Sequence, residues 1–209
     1  AAAVVARPDP TTFQLVPWRP REQGVARMFC DIHMPDGRPF EGDPRQVLKR
    51  NLQRAHDAGF TLMCAPEVEF FYLESDDPST VPQPLDSASY FDLTTKDVSS
   101  DIRRVSLQRL ETVGIPVEYS FHEDAPSQHE IDLRYTDALS MADNIMTLRL
   151  VVREVALQHG VHATFMPKPI AGVQGSGMHT HMSLFTAESN AFYEDGAQSN
   201  LSPVAQKFI

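Results

Sequence analysis

The sequence has 209 residues, of which 42% are hydrophobic and 22% are charged, so it can bury a sizeable core. Its 18 basic and 28 acidic side chains give a formal net charge of −10, which argues against nucleic acid or an anionic membrane as the main partner. Two cysteines, Cys30 and Cys64, are too few for a disulfide framework, and no apolar run suits a membrane span or signal peptide. We therefore expect a cytoplasmic protein.

Helix and strand signals follow one another irregularly along the chain. Prolines and polar residues indicate an extended linker at 7–23 and a long loop at 75–92. The predicted strands, rich in apolar and aromatic residues, are 25–33, 60–73 with an interruption near Pro66, 117–123, 128–135, 161–166 and 178–185. The predicted helices run from Asp43 to Gly59, from Asp97 to Val113, over 137–159 and from Ser202 onward.

This mixture of elements favours an α+β fold over a doubly wound parallel sheet, in which helices and strands alternate strictly. At the end of the sequence, Ser202 is a good N-cap and Pro203 suits the first helical position. Only about two turns of that helix follow, so we expect a truncated chain.

Two carboxylates, Glu67 and Glu69, lie two residues apart on a predicted strand and therefore share one face. Such a pair is usually a solvated strand face. Here the flanking segments are apolar, and two carboxylates in a buried setting need a cation.

Two further glutamates lie in neighbouring predicted strands. Glu123 ends one strand and Glu130 lies in the next, so a turn over 124–127 can bring them close together. Either one alone would be interpreted as a surface carboxylate. Asp132 shares the face of Glu130, as a partner or as a solvated residue.

A histidine pair follows a glycine-rich turn at 171–177. His179, His181 and Ser183 share one strand face, where the histidines are either metal ligands or hydrogen-bonded structural residues. A mostly oxygen donor set with one or two imidazoles suits Mg²⁺ or Mn²⁺ better than zinc. The residues alone thus indicate a divalent-metal enzyme, with ATP as a candidate substrate.

Three segments, APEVEFF, HEDAPSQHEIDLRY and GVQGSGMHTHMSLF, resemble in order and spacing three signature segments of the glutamine synthetase family. Residues 11–31 also resemble the link between that family's two domains. The resemblance implies that residues 1–23 are the exit segment of an N-terminal domain. It also implies that residues 24–209 are part of a catalytic domain with a curved, largely antiparallel sheet flanked by helices.

The resemblance also assigns roles to individual residues around two metal ions per complete site, either Mg²⁺ or Mn²⁺. The implied ligands of one metal are Glu69, Glu123 and Glu130, and those of the second are Glu67 and His179. The implied ATP-binding residues are Glu118, Tyr135, His181 and Ser183. Gln174 and Gly175 match the loop that contacts the glutamate substrate.

The implied reaction transfers phosphate from ATP to the γ-carboxylate of glutamate, after which ammonia or another amine displaces the phosphate and forms an amide. Family members of full length are homo-oligomers of nitrogen metabolism. The resemblance names no general base in this chain, and downstream parts of the family's site are missing. We therefore expect weak or no turnover by this chain alone. The alternatives are a non-catalytic binding or assembly module with the same fold, or a metal-dependent hydrolase.

Several positions depart from the commonest pattern of the family. Gln174 replaces asparagine before the Gly-Ser-Gly turn, and Phe121 replaces a histidine. Asp124 and Ser127 stand where small or apolar residues are usual. None of these changes removes an implied metal ligand.

Overall fold

The computed structural model describes residues 3–19, 21–92 and 99–209. Its strands are β1 (Val5–Pro8), β2 (Gln14–Leu15), β3 (Ala26–Arg27), β4 (Cys30–His33), β5 (Thr61–Leu73), β6 (Val117–His122), β7 (Gln128–Leu133), β8 (Thr136–Asp137), β9 (His162–Thr164) and β10 (Met178–Phe185). Its helices are α1 (Pro44–Asp57), α2 (Ser100–Thr112), α3 (Ala138–Gln158) and α4 (Pro203–Phe208). The predicted α+β class is confirmed, although Asp97, the predicted start of α2, lies outside the described residues.

Two predictions about the first 33 residues need correction. The segment 7–23 is not a plain extended linker, because it includes β2 and short 3₁₀ turns at Pro10–Thr12 and Arg21–Gln23. The strand predicted at 25–33 is divided into β3 and β4. Each of these short strands has its own partner, since β2 pairs with β3 and β1 pairs with β4.

The interruption expected near Pro66 is also wrong, because β5 runs unbroken from Thr61 to Leu73. Proline lacks an N–H and normally breaks a ladder of backbone hydrogen bonds. Here Pro66 falls between two pairings, one of Cys64 with Thr136 in β8 and one of Glu67 with Asp132 in β7. No bond to either partner strand is lost at that position.

The chain divides into two compact units, one formed by Ala1–Cys64, Tyr135–Asp143 and His181–Ile209. In this unit, Asp43 caps α1 by accepting the Arg45 N–H at 3.0 Å, and its other oxygen accepts the Ile32 N–H of β4 at 2.9 Å. The Arg45 side chain contacts three carboxylates at 2.6–3.0 Å, those of Asp9, Asp31 and Asp143. One buried cap and one arginine therefore join the helix to its neighbours.

The second unit, Ala65–Arg134 with Asn144–Thr180, contains most of the apolar core among the described residues. Apolar residues at helical spacing on α3 are fully buried, namely Leu148, Val151, Val152 and Val155. On β5, the consecutive side chains of Phe70, Phe71 and Tyr72 are also fully buried. Because neighbours on a strand face opposite ways, both faces of this end of β5 are covered.

One six-stranded sheet of the described chain contains most of the predicted site residues. Its order is β10-β5-β7-β6, and β8 and β9 pair with β5 in addition. The pairs of β5 with β7, β8 and β9, and of β6 with β7, are all antiparallel. Among the described residues, no helix combines the length and the apolar character needed to cross a membrane.

Candidate metal centre

The register of β5 and β7 places acidic side chains directly opposite one another. Glu67 pairs with Asp132, and Glu69 pairs with Glu130. Directly opposed residues of an antiparallel pair have Cβ atoms about 5 Å apart, and like charges at that distance are destabilising. Four carboxylates thus share one patch of the sheet. The alternation along each strand predicted that the two members of each pair, Glu67 with Glu69 and Glu130 with Asp132, lie on the same face.

Glu123 joins this patch from the turn after β6. Its backbone N–H donates to the Gln128 carbonyl oxygen at 2.7 Å, which closes the tight connection between β6 and β7. Its side chain hydrogen-bonds to that of Glu130. The turn therefore brings Glu123 and Glu130 together, which the sequence predicted.

The carboxylates raise one another's pKa. Burial, followed by hydrogen bonds and charge from Asp132 and Glu123, raises the pKa of Glu130 from 4.5 to about 9. Burial is the largest cause that raises the pKa of Glu69, and it outweighs the lowering by the Gly177 N–H and His179; the charges of Glu123 and Glu67 raise this pKa further. A metal-free site consequently holds extra protons, and a divalent cation would compensate the same charges.

His179 on β10 lies beside this carboxylate patch. Its Nδ1 is 3.0 Å from Glu67 Oε2, and its side chain is 73% exposed. An imidazole next to a carboxylate, with solvent access, is a suitable pair of ligands for a divalent cation.

The glycine-rich turn packs closely against its surroundings at two of its glycines, Gly175 and Gly177. A Cβ on Gly177 would lie 3.2 Å from Glu69 Oε1, and one on Gly175 would lie 2.5 Å from the Pro167 carbonyl oxygen. The Ser176 N–H donates to that same oxygen at 2.7 Å. Glycine is therefore required at 175 by close backbone packing, and glycine at 177 leaves the space next to Glu69 Oε1 free of a side chain.

Two residues that depart from the family pattern contact each other. Gln174 Nε2 donates a hydrogen bond to Asp124 Oδ2, which joins the glycine-rich turn to the turn between β6 and β7. Ser127, a third departure, has a φ of +58° and accepts the Asp86 N–H on its Oγ at 2.6 Å. Of these departures, Gln174 and Asp124 thus contact each other at the predicted substrate loop, while Ser127 bonds to Asp86.

The predicted ATP-binding residues lie elsewhere in the chain. Glu118 is exposed at an irregularity of β6, five residues or roughly 16 Å of strand before Glu123. Tyr135 belongs to the other unit, where its ring stacks on Phe185 with centroids 6.4 Å apart. His181 and Ser183 lie on β10, in that same unit. Their roles in binding ATP remain predictions.

Sequence reasoning missed Gln128, which is buried at the start of β7 and donates to Glu69 Oε2 at 2.7 Å. A signal was present, because Gln128 shares the strand alternation of Glu130 and Asp132.

A second cluster, also missed, consists of Asp86, His122 and His129, whose ligand atoms lie within 4.8 Å of one another. Burial alone would raise the pKa of Asp86, but hydrogen bonds from His122 and Ser99 lower it to about 2. Arg103 donates to His129 Nδ1, so the proton of this neutral ring lies on Nε2. That proton opposes coordination, and we interpret the cluster as a buried hydrogen-bond network.

The donor set of the carboxylate patch suits a hard divalent ion. Five carboxylates and one imidazole in partly buried positions resemble the oxygen-rich sites of Mg²⁺ and Mn²⁺. The fold and site thus define an α+β protein with a patch of carboxylates and one histidine that could hold divalent cations.

Comparison with known proteins identifies the family. A family model described as glutamine synthetase, catalytic domain, matches residues 41–209. The chain is 54% identical over 208 residues to a glutamine synthetase of Mycolicibacterium smegmatis, and the match covers 98% of this chain and 47% of that relative. It is 48% identical over 211 residues to a glutamine synthetase of Thermus thermophilus, with 99% and 47% covered. The chain belongs to the glutamine synthetase family.

Solved structures agree with this result. A structure of GmaS without ligand superposes with a TM-score of 0.88 at 36% identity, covering 100% of this chain and 49% of that one. Glutamine synthetase of Plasmodium falciparum superposes with a TM-score of 0.90 over 98% of this chain and 46% of its own, and at 24% identity it supports the fold alone. The chain spans about half the length of the curated relatives it matches.

Proposed function

We propose that this chain supplies the divalent-metal centre of an ATP-dependent ligase that joins glutamate to ammonia or another amine through γ-glutamyl phosphate. The observation that carries the proposal is the opposed pair Glu69 and Glu130, with Glu123 hydrogen-bonded to Glu130. Three carboxylates so placed need a cation. They are also the three residues that match one metal site of the family.

Glu69, Glu123 and Glu130 would hold one Mg²⁺ or Mn²⁺, and Glu67 with His179 would hold the second. When bound, these ions supply electrostatic stabilisation of the transferring phosphoryl group, which is the largest contribution in phosphoryl transfer. The sheet fixes the relative positions of the carboxylates, because they come from paired strands and a tight turn. Glu69 is oriented further by hydrogen bonds from Gln128 and from the Gly177 N–H.

The other proposed contacts complete the assignment. We infer nucleotide-binding roles for Glu118, Tyr135, His181 and Ser183, and contact with glutamate for Gln174 and Gly175. A homo-oligomer acting in the cytoplasm in nitrogen metabolism is part of the same proposal. Its support is the family membership and the match of these residues to the family's motifs.

Turnover should be measured in the whole protein that carries this chain, as ADP released from ATP in the presence of Mg²⁺. The proposal expects release that requires both glutamate and an amine, tested with ammonium and with methylamine. Glu123→Gln should abolish it, whereas Glu188→Gln, at an exposed position in the described chain, should leave it unchanged. ADP release independent of glutamate, or hydrolysis of simple phosphoesters, would favour a hydrolase. Absence of both activities would favour a binding module.

A further inference from the structure

A single buried amide connects the proposed metal centre to the glycine-rich turn. Gln128 is 1% exposed, and its Nε2 donates to Glu69 Oε2 at 2.7 Å and to the Gly175 carbonyl oxygen at 3.0 Å. Its Oε1 accepts the Ala125 N–H at 3.3 Å. Both amide hydrogens and the amide oxygen therefore have partners.

The partners also determine the orientation of this amide. Glu69 and the Gly175 carbonyl offer only acceptors, and the Ala125 N–H offers only a donor. Rotating the amide by 180° would place an oxygen against a carboxylate and a carbonyl, and an NH₂ against an N–H. The Nε2 atom consequently has to face Glu69.

The contact divides the two oxygens of Glu69 between different neighbours. Gln128 holds Oε2, while Oε1 lies on the side of Gly177, where a Cβ would come within 3.2 Å. The opposite partner of Glu69 across the strands is Glu130. An unpaired Glu69 could rotate about its side-chain bonds, whereas the bonded one is kept in a single orientation toward the carboxylate patch.

We propose that Gln128 is a positioning residue: it holds Glu69 in the orientation that binds the metal, and it holds the Gly175 carbonyl so that the glycine-rich turn keeps its place beside the metal centre. This inference rests on the proposed metal-binding function of Glu69. Gln128 itself contacts neither metal nor substrate in this assignment. Partners that orient metal ligands in this way typically change metal affinity by about 10- to 100-fold when they are removed.

The test is the affinity of the chain for Mn²⁺, measured by electron paramagnetic resonance of the free ion. Gln128→Met removes both donors at similar volume, and Gln128→Asn keeps an amide that is one methylene too short. Both should weaken Mn²⁺ binding about 10- to 100-fold. The matched control, Gln108→Met on the exposed face of α2, should bind as the wild type does.

A second control separates positioning from general destabilisation. Val151→Ala creates a cavity in the buried face of α3, so it lowers the urea midpoint of unfolding without a change at the metal site. It should leave Mn²⁺ affinity unchanged. Gln128→Asn provides the result if Gln128→Met does not fold.

The possible failures are distinguishable. Wild-type affinity in either folded Gln128 variant would overturn the positioning role and leave the proposed metal centre intact. A wild-type chain whose Mn²⁺ binding does not depend on Glu69 would overturn both the metal centre and this inference.

Discussion

Replacing Glu130 by glutamine should have opposite effects on stability in the absence and presence of metal. The substitution keeps shape and removes a group whose pKa is raised from 4.5 to about 9 by burial, Asp132 and Glu123. At pH 7 the native wild type must keep a proton there that the unfolded chain has released. Glutamine removes this cost, so the metal-free variant should be more stable than the wild type.

The size of the effect follows from the same pKa. The interval between 4.5 and pH 7 gives an upper limit of about 3 kcal/mol. Solvent access to the patch and coupling among its carboxylates reduce this to about 1–2 kcal/mol, or roughly 4 °C in Tm for a chain of this length. Mn²⁺ at 100 times its Kd should stabilise the wild type by about 2.7 kcal/mol. Loss of a charged ligand should remove most of that gain from Glu130→Gln.

Thermal unfolding followed by circular dichroism at pH 7 provides the assay, with EDTA and then with a Mn²⁺ series. Glu111→Gln, at an exposed position on α2, is the matched control and should behave as the wild type in both conditions. The reasoning is refuted if Glu130→Gln is less stable than the wild type in EDTA and still gains the full Mn²⁺ shift.

Two further predictions concern pH and the glycine-rich turn. The raised pKa of Glu130 makes the native state bind more protons than the unfolded state, so the metal-free free energy of unfolding should fall as pH rises from about 4.5 to about 9. Urea titrations across this pH range measure the trend, and saturating Mn²⁺ should make the free energy of unfolding less dependent on pH. As the pH decreases below about 4, stability should also decrease, because the pKa of Asp86 is lowered to about 2 in the native state and the unfolded chain takes up this proton first. Gly175→Ala should lower the free energy of unfolding by about 1–3 kcal/mol and weaken Mn²⁺ binding, because its Cβ would lie 2.5 Å from the Pro167 carbonyl oxygen. The control is Gly196→Ala, where a Cβ meets open space but φ is +76°. It should lower stability without changing Mn²⁺ binding.

The two carboxylate pairs of the sheet could be predicted from the sequence because strand periodicity alone selects their members. Residues two apart share a face, so Glu67 with Glu69 and Glu130 with Asp132 were identified as pairs before any register was known. The register itself, which opposes Glu69 to Glu130, depends on which strands pair. Periodicity within one strand carries no such information.

Long-range partners explain what the sequence did not predict. Pro66 looked like a break, but its position between the β8 and β7 pairings removes the penalty. Gln128 was placed in a predicted strand but given no role, because its partners Glu69 and Gly175 lie far away along the chain. The short strands before Ala26 were also not predicted, since β2, for example, has only two residues and is defined by its pairing with β3.

The most direct test of the account is a Mn²⁺ titration of the chain followed by electron paramagnetic resonance, comparing the wild type with single Glu69→Gln, Glu123→Gln and Glu130→Gln variants. These three carboxylates meet in one patch of the sheet and its adjoining turn, so the account predicts saturable binding that each substitution weakens at least tenfold. Binding that is absent in the wild type, or equal in all four proteins, would contradict it.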